Sequence, residues 1–365
     1  MIDGTVGATA DREVAGRFEM PTTVDDLHRS GMGDSSLPAI DVKDLRVYYD
    51  SEAGIVKAVD GVSFTLEQGE RLALVGESGC GKTTLGMALL KLTKAPGYID
   101  GGQILLDGRD LVPFDEESMR LARLAEVALV TQSAMNALNP VMRIEDQIID
   151  GLVDHGIKDT KENLRSHIHD LLRRVGLRES VGRMYPHELS GGMKQRVAIA
   201  TGTSMNPKVI VADEPTSALD VVVQRQVMMT LSRVQRDTGA AVILIGHDMG
   251  LVAQFADRIG VMYAGKLVDI GTVQQIIEEP KHPYTRLLIN SVPDLEEKRE
   301  RLEGIPGIPP PLVDLPPGCV FAPRCPSVED VCLEISPRDV DTGDDRRVMC
   351  HLFDREVEMA GSEVG

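Results

Sequence analysis

The 365-residue chain reads as an α/β protein with a parallel sheet covered on both faces, built to hold phosphate. Two observations predict this. Three short unbroken apolar runs, RLALV at 71–75, VIVA at 209–212 and AVILI at 241–245, have the make-up of strands buried on both faces, with helical stretches between them. The loop GESGCGKT at 76–83 follows the first run directly and precedes the helix-like TLGMALLKL. That context, strand then Gly-rich loop then helix, is the one in which G-x-x-x-x-G-K-[ST] binds phosphate.

Taken in order, residues 1–38 are rich in Gly, Thr, Ser and Asp and read as a disordered acidic leader. IDVKDLRVYY from Ile40 alternates apolar and polar residues, the period of a half-buried strand, and AVDGVSFTLEQGE predicts a second strand bounded by Gly. The stretch from about 140 to 190 is polar with helical period (IEDQIIDGLVDHG, NLRSHIHDLLRRVGL) and reads as a helical insert between sheet strands. Beyond it, Pro and Gly crowd into GIPGIPPPLVDLPPGC at 304–319, which fits neither helix nor central strand. The predicted organisation is a leader at 1–38, a nucleotide-binding domain at 39–279, a small loop-rich, Cys-containing domain at 280–352 and a tail at 353–365.

Charge narrows the function. The chain carries 57 Asp+Glu against 39 Lys+Arg, a formal net charge of −18. Such acidity argues against a nucleic-acid binder that works through a broad basic face. With only 12 Lys beside 27 Arg, the Lys-poor, acidic balance fits a saline cytoplasm such as that of a halophilic archaeon. No apolar run is long enough to span a bilayer, and no basic-then-apolar start suggests a secretory signal.

In the loop, Gly76, Ser78, Gly79, Cys80, Gly81, Lys82, Thr83 and Thr84 would surround the phosphates. Glycines let backbone N–H groups point inward, and the following helix adds its positive end. Lys82 would reach the β/γ-phosphates, and the Thr83 hydroxyl would ligate Mg²⁺. Cys80 is read as a small residue that the loop tolerates, with a reactive thiol as the alternative. VIVADEP at 209–215 ends a buried strand in Asp213, a Mg²⁺ ligand candidate, and Glu214, the candidate base for water.

Between these motifs stands LSGGMKQR at 189–196, which resembles the signature of ABC ATPases. Gln132 then resembles the Q-loop glutamine, a further Mg²⁺ ligand; Ser217-Ala218-Leu219-Asp220 the D-loop; His247 the switch histidine; and Tyr49, rather than adjacent Tyr48, the aromatic that stacks on adenine. AMNALNPV at 134–141, KHPYT at 281–285 and PPGCVFAPRCP at 316–326 resemble the dipeptide, oligopeptide and nickel importer ATPases. The resemblance implies a RecA-like parallel core with an antiparallel β subdomain and a helical subdomain. It implies an ATPase at the cytoplasmic face of the cell membrane, in a dimer of ATPase subunits (a heterodimer favoured) bound to two transmembrane permeases and served by an extracellular binding protein. Each ATP would lie between the P-loop of one subunit and the Ser190-Gly191-Gly192 segment of the other, with catalysis by Glu214, His247 and Gln132. Peptides are the expected substrate, oligosaccharide or nickel the alternatives. A soluble ABC ATPase acting on nucleic acid or ribosomes is the rival class, disfavoured by the acidity and the single nucleotide domain.

Four of five cysteines, Cys319, Cys325, Cys332 and Cys350, fall in the last 47 residues. Four thiols in a loop-built piece of a cytosolic protein suggest a metal staple more than disulfides. Their intervals of 6, 7 and 18 residues are wider than the paired spacing of structural zinc. The expectation is a [4Fe–4S] cluster, with Zn²⁺ or free thiols as alternatives and His351 as a further donor beside Cys350.

Overall fold

A computed structural model describes residues 20–29, 37–131, 138–217, 219–291 and 304–354. The first element is a short helix, α1 (Val24–Arg29). β1 (Ile40–Ser51) and β2 (Gly54–Leu66) form an antiparallel pair. The alternation read from the sequence holds: Ile40, Val42, Leu45 and Val47 are buried, with a register shift between Val42 and Leu45. β3 (Arg71–Val75) leads into α2 (Lys82–Leu89). β4 (Gly97–Leu106) and β5 (Arg109–Asp110) complete a four-stranded antiparallel sheet in the order β2-β1-β4-β5. α3 (Glu116–Ala122) and β6 (Val127–Val130) return the chain to the second sheet.

The helical insert follows as α4 (Ile144–Asp154) and α5 (Lys161–Arg174). Each buries one stripe, Ile144, Ile148 and Leu152 on α4 and Leu164, Ile168, Leu171 and Leu172 on α5, the amphipathic spacing that makes them helices. α6 (Gly191–Gly202), β7 (Val209–Asp213), α7 (Val221–Thr238), β8 (Ala241–Ile245), α8 (Met249–Phe255), β9 (Arg258–Tyr263) and β10 (Lys266–Thr272) then build the rest of the core. α9 (Val273–Glu278) and α10 (Pro283–Asn290) precede a 3-10 turn at Ala322–Arg324, α11 (Asp330–Glu334), β11 (Asp339–Asp341) and β12 (Arg347–Met349).

The main sheet runs β11-β12-β10-β9-β3-β8-β7-β6. From β9 through β6 its neighbours are parallel. Alternate residues of one strand feed two cores. Ala73, Ile210, Ala212, Val242 and Leu244 face the helical side. Leu72, Leu74, Val209, Val211, Ile243 and Ile245 face α2 and the antiparallel sheet. This two-sided burial is why the three strands read as continuous apolar runs.

Two expectations need correction. Within the segment expected to be a disordered leader, residues 20–29 include α1, with Leu27 fully buried and Val24 nearly so, packed in the core beside α5. Its backbone is tied down as well, Lys158 N–H donating to Thr22 O at 2.8 Å and Asn206 Nδ2 to Leu27 O at 2.8 Å. The C-terminal extension, expected as a small loop-rich domain, also contributes strands to the core. β12 pairs antiparallel with β10, so the extension lengthens the core sheet.

Candidate active site

β3 aims the Gly-rich loop at the end of the parallel sheet, and α2 begins directly after it with Gly81 as its N-cap. At Gly76 (φ +146°) a Cβ would stand 2.2 Å from Met262 O, and at Gly81 (φ +106°) 2.0 Å from Ala58 O. Both positions thus need Gly for conformation and for space. Lys82 is 7% exposed, and its ammonium crosses the loop to Gly76 O at 2.8 Å and Glu77 O at 3.0 Å. Cys80 Sγ lies 3.5 Å from the same ammonium, and burial pushes the Cys80 thiol up against the opposing pull of Lys82. That favours the reading of Cys80 as a packed small residue over a reactive thiol. Ser78 and Gly79 are exposed, as are Thr83 and, in part, Thr84.

Strand β7 brings the second motif to the same place. Thr83 Oγ1 donates to Asp213 Oδ1 at 3.1 Å, across 130 residues of chain. Asp213 is 5% exposed, and desolvation raises its pKa above the ordinary carboxylate value, with the neighbouring Glu214 charge adding to the rise. A hydroxyl and a desolvated carboxylate side by side suit a hard divalent cation, which would relieve the penalty. Glu214 follows in a left-handed conformation (φ +41°), held by its N–H donating to Ile245 O at 2.9 Å. Such strain in a non-Gly residue costs about 1–3 kcal/mol and marks functional positions. His247 Nδ1 stands 3.8 Å from Glu214 Oε1, and the two line one cavity with Ser217 and Gln224.

The remaining residues are not gathered there. Ser190 caps α6, its Oγ accepting from Met193 N–H at 3.4 Å, and Gly192 lies so close to α7 that a Cβ would meet Val223 at 2.5 Å. Asp220 is exposed and caps α7, accepting from Val223 N–H at 3.0 Å. Among the described residues no hydrogen bond joins Ser190, Gly191, Gly192 or Asp220 to the phosphate loop. Tyr48 is occupied elsewhere, its hydroxyl donating to Asp60 Oδ1 at 2.7 Å and its ring set edge-on to Tyr98. Tyr49 is half-buried, its ring packed over Gly97. Gln132 lies outside the described residues. Sequence reasoning missed Glu77, Tyr284 and Arg324. Their only signal was a loop position next to the Gly-rich motif and two positions in the C-terminal motifs.

Cys319, Cys325, Cys332 and Cys350 line one cavity with His282 and His351. Gly318 makes this possible, since a Cβ there would lie 2.2 Å from Cys332 O. Burial raises the Cys319 and Cys325 thiols and pushes Cys350 up to about 12, with the other three thiols adding to the shift at Cys350. The expected metal centre is nonetheless not met by the side chains as they stand. Among the described residues no group of three or more His, Cys, Asp or Glu could hold a metal ion. The single-ion alternative, Zn²⁺, loses its support, because that ion needs its ligands drawn onto one point.

The sheet, the loop and the two carboxylates define an ABC-type ATPase. The chain matches the ABC transporter family over residues 59–217 and the oligopeptide/dipeptide transporter C-terminal region over 268–332. It is 42% identical to a dipeptide transport ATP-binding protein of Bacillus subtilis over 326 residues, 88% of this chain and 96% of the relative. It is 43% identical to an oligopeptide transport ATP-binding protein of the same organism, over 82% of this chain and 84% of the relative. Its fold is similar to that of a dimeric ATP-binding cassette in a post-hydrolysis state with ADP and Pi, at a TM-score of 0.58 and 26% identity, covering 64% of this chain and 98% of the other. The chain belongs to the family of dipeptide and oligopeptide transport ATP-binding proteins of the ABC transporters, and is an ATPase subunit. Among the described residues no helix is long and apolar enough to cross a membrane.

Proposed function

We propose that this chain powers uptake of dipeptides or oligopeptides by an ABC importer, from the cytoplasmic face of the membrane, paired with a second ATPase subunit and two permease subunits. The observation that carries the reading is the junction of Thr83 with Asp213 beside the strained Glu214, together with a signature segment that, among the described residues, makes no hydrogen bond to its own phosphate loop. A half-site of that kind needs a second ATPase to close it.

The loop N–H groups and Lys82 take the triphosphate, and Tyr49 stacks on the adenine. Thr83, Asp213 and Gln132 would hold Mg²⁺, which supplies positive charge to the phosphates. Glu214 orients a water and accepts its proton as the water oxygen bonds to the γ-phosphorus; the bond to the bridging oxygen breaks, and ADP leaves with the electron pair. His247 holds the γ-phosphate and the water, and Asp220 links the two sites across the dimer. The acidic, Lys-poor composition supports a saline cytoplasm as the setting.

In the assembled importer, peptide with its binding protein should stimulate ATP hydrolysis, and oligosaccharide or nickel should not. Glu214→Gln should keep ATP binding and lose turnover by about 10²–10⁴-fold. Stimulation by sugar or nickel alone would overturn the substrate, and near-normal turnover would move the base elsewhere.

The cysteine cavity supports a further assignment, a [4Fe–4S] cluster of structural role. Four thiols line that one cavity, and bound iron would hold them as thiolates. Anaerobically purified protein should carry about four irons per chain and absorb near 400 nm. Stoichiometric zinc without iron would sink the assignment.

A further inference from the structure

The phosphate loop is not held by the core alone. Glu77, its second residue, is gripped at every polar group. Its N–H donates to Tyr284 Oη at 2.9 Å, and its carbonyl accepts from Lys82 Nζ at 3.0 Å. Its carboxylate accepts a two-pronged bond from Arg324, Nη1 to Oε2 at 2.7 Å and Nη2 to Oε1 at 3.0 Å. Lys82 belongs to the loop, but Tyr284 and Arg324 come from the C-terminal extension, 207 and 247 residues further along the chain.

Arg324 is built in rather than resting on the surface. Its side chain is 4% exposed. Nε donates to Pro306 O at 2.7 Å, Nη1 also to Tyr263 Oη at 3.2 Å, and Nη2 also to Ile305 O at 3.4 Å. With the two bonds to Glu77, all five guanidinium donors are used, which a lysine could not reproduce. The guanidinium also stands over the Tyr263 ring, 5.7 Å from its centroid. Tyr263 at the end of β9 packs with Tyr284 and Phe321 of the extension at centroid distances of 4.6 and 5.1 Å, and those two stand 5.4 Å apart, so core and extension share an aromatic cluster behind the fork.

The placement has an electrostatic consequence. A carboxylate inside a loop meant for a triphosphate repels the ligand, and an untethered one lets the loop swing its N–H groups out of line. We propose that Arg324 is a positioning residue of the nucleotide site: it cancels the Glu77 charge and fixes the loop, which makes the C-terminal extension a working part of ATP binding. The role is distinct from any group that the extension's cysteines hold, and it rests on ATP binding at this loop.

The test uses ATP hydrolysis by the full chain in the assembled importer. Arg324→Gln should raise KM for ATP by about tenfold and leave kcat within about twofold, because the charge acts on binding and the hydrolytic groups stay in place. Adding Glu77→Gln should bring KM back to within about threefold of the parent, since the exposed negative charge is gone. Should Arg324→Gln fold poorly, Arg324→Lys keeps the charge, loses the fork, and should show a smaller rise in KM. An unchanged KM in either Arg324 variant overturns the proposal, as does a raised KM that Glu77→Gln does not relieve. Hydrolysis by the parent protein reports separately that the loop binds ATP.

Discussion

Asp213 lies where the sheet ends and the phosphate site begins, and it is destabilised there. Burial raises its pKa above the ordinary aspartate value of 3.8, so ionisation costs more in the folded protein than in the unfolded chain. The cost is present at neutral pH, where the carboxylate is charged in both states. It fades as pH falls through the raised folded value and is gone below 3.8, where both states are protonated. Asp213→Asn should therefore raise the melting temperature of the nucleotide-free chain at pH 7, lose that advantage in acid, and abolish Mg²⁺-dependent hydrolysis. A lower melting temperature at pH 7 would show that the Thr83 bond outweighs the desolvation. The same trade of stability for chemistry appears one residue on, at the left-handed Glu214.

At the scale of elements, α1 shows how little sequence is needed for docking. It has six residues, too few to be stable alone. Leu27 and Val24 insert into the core beside α5, while Val24 N–H reaches Asp159 Oδ2 at 3.2 Å and Asn206 Nδ2 reaches Leu27 O at 2.8 Å. The helix thus spans the insert, through Asp159, and the segment leading into β7, through Asn206. Leu27→Ala should cost about 2–5 kcal/mol, read as a lower melting temperature. An unchanged melting curve would mean that the helix contributes nothing to the cooperative fold.

At the scale of the molecule, the extension and the core behave as one sheet joined by a buried ion pair. Arg346 and Asp269 are 2% and 0% exposed at the side chain and 3.2 Å apart. Arg346 also donates to Gln275 O at 3.0 Å and Glu279 O at 2.7 Å, closing the end of α9, and Asp269 accepts from His282 N–H at 3.1 Å. Beside it His282 stays neutral, because complete burial pulls its pKa down to about 3. Removing the cation would strand a buried carboxylate, so Arg346→Ala should destabilise by about 3–5 kcal/mol. Cys319, Cys332 and Cys350 should then react faster with a thiol reagent. Retained stability with shielded thiols would show that the extension is held by its other contacts. The charge of −18 is compatible with a site for ATP, because positive field is supplied locally by loop N–H groups, Lys82 and the start of α2.

The parallel core, the phosphate loop, the Asp213–Glu214 pair and the ABC family were legible from residue order, because each depends on local pattern: apolar runs, glycines at strained turns, acids at a strand end. The sequence also showed four cysteines in the extension, but not that they line one cavity. The tertiary structure alone decided that residues 20–29 dock, that β12 joins the core sheet, and that Arg324 and Tyr284 brace Glu77. Those facts rest on contacts between residues far apart in the chain, which no local spacing encodes. An arginine in a Pro-rich segment looks the same in sequence whether it meets water or completes a phosphate site.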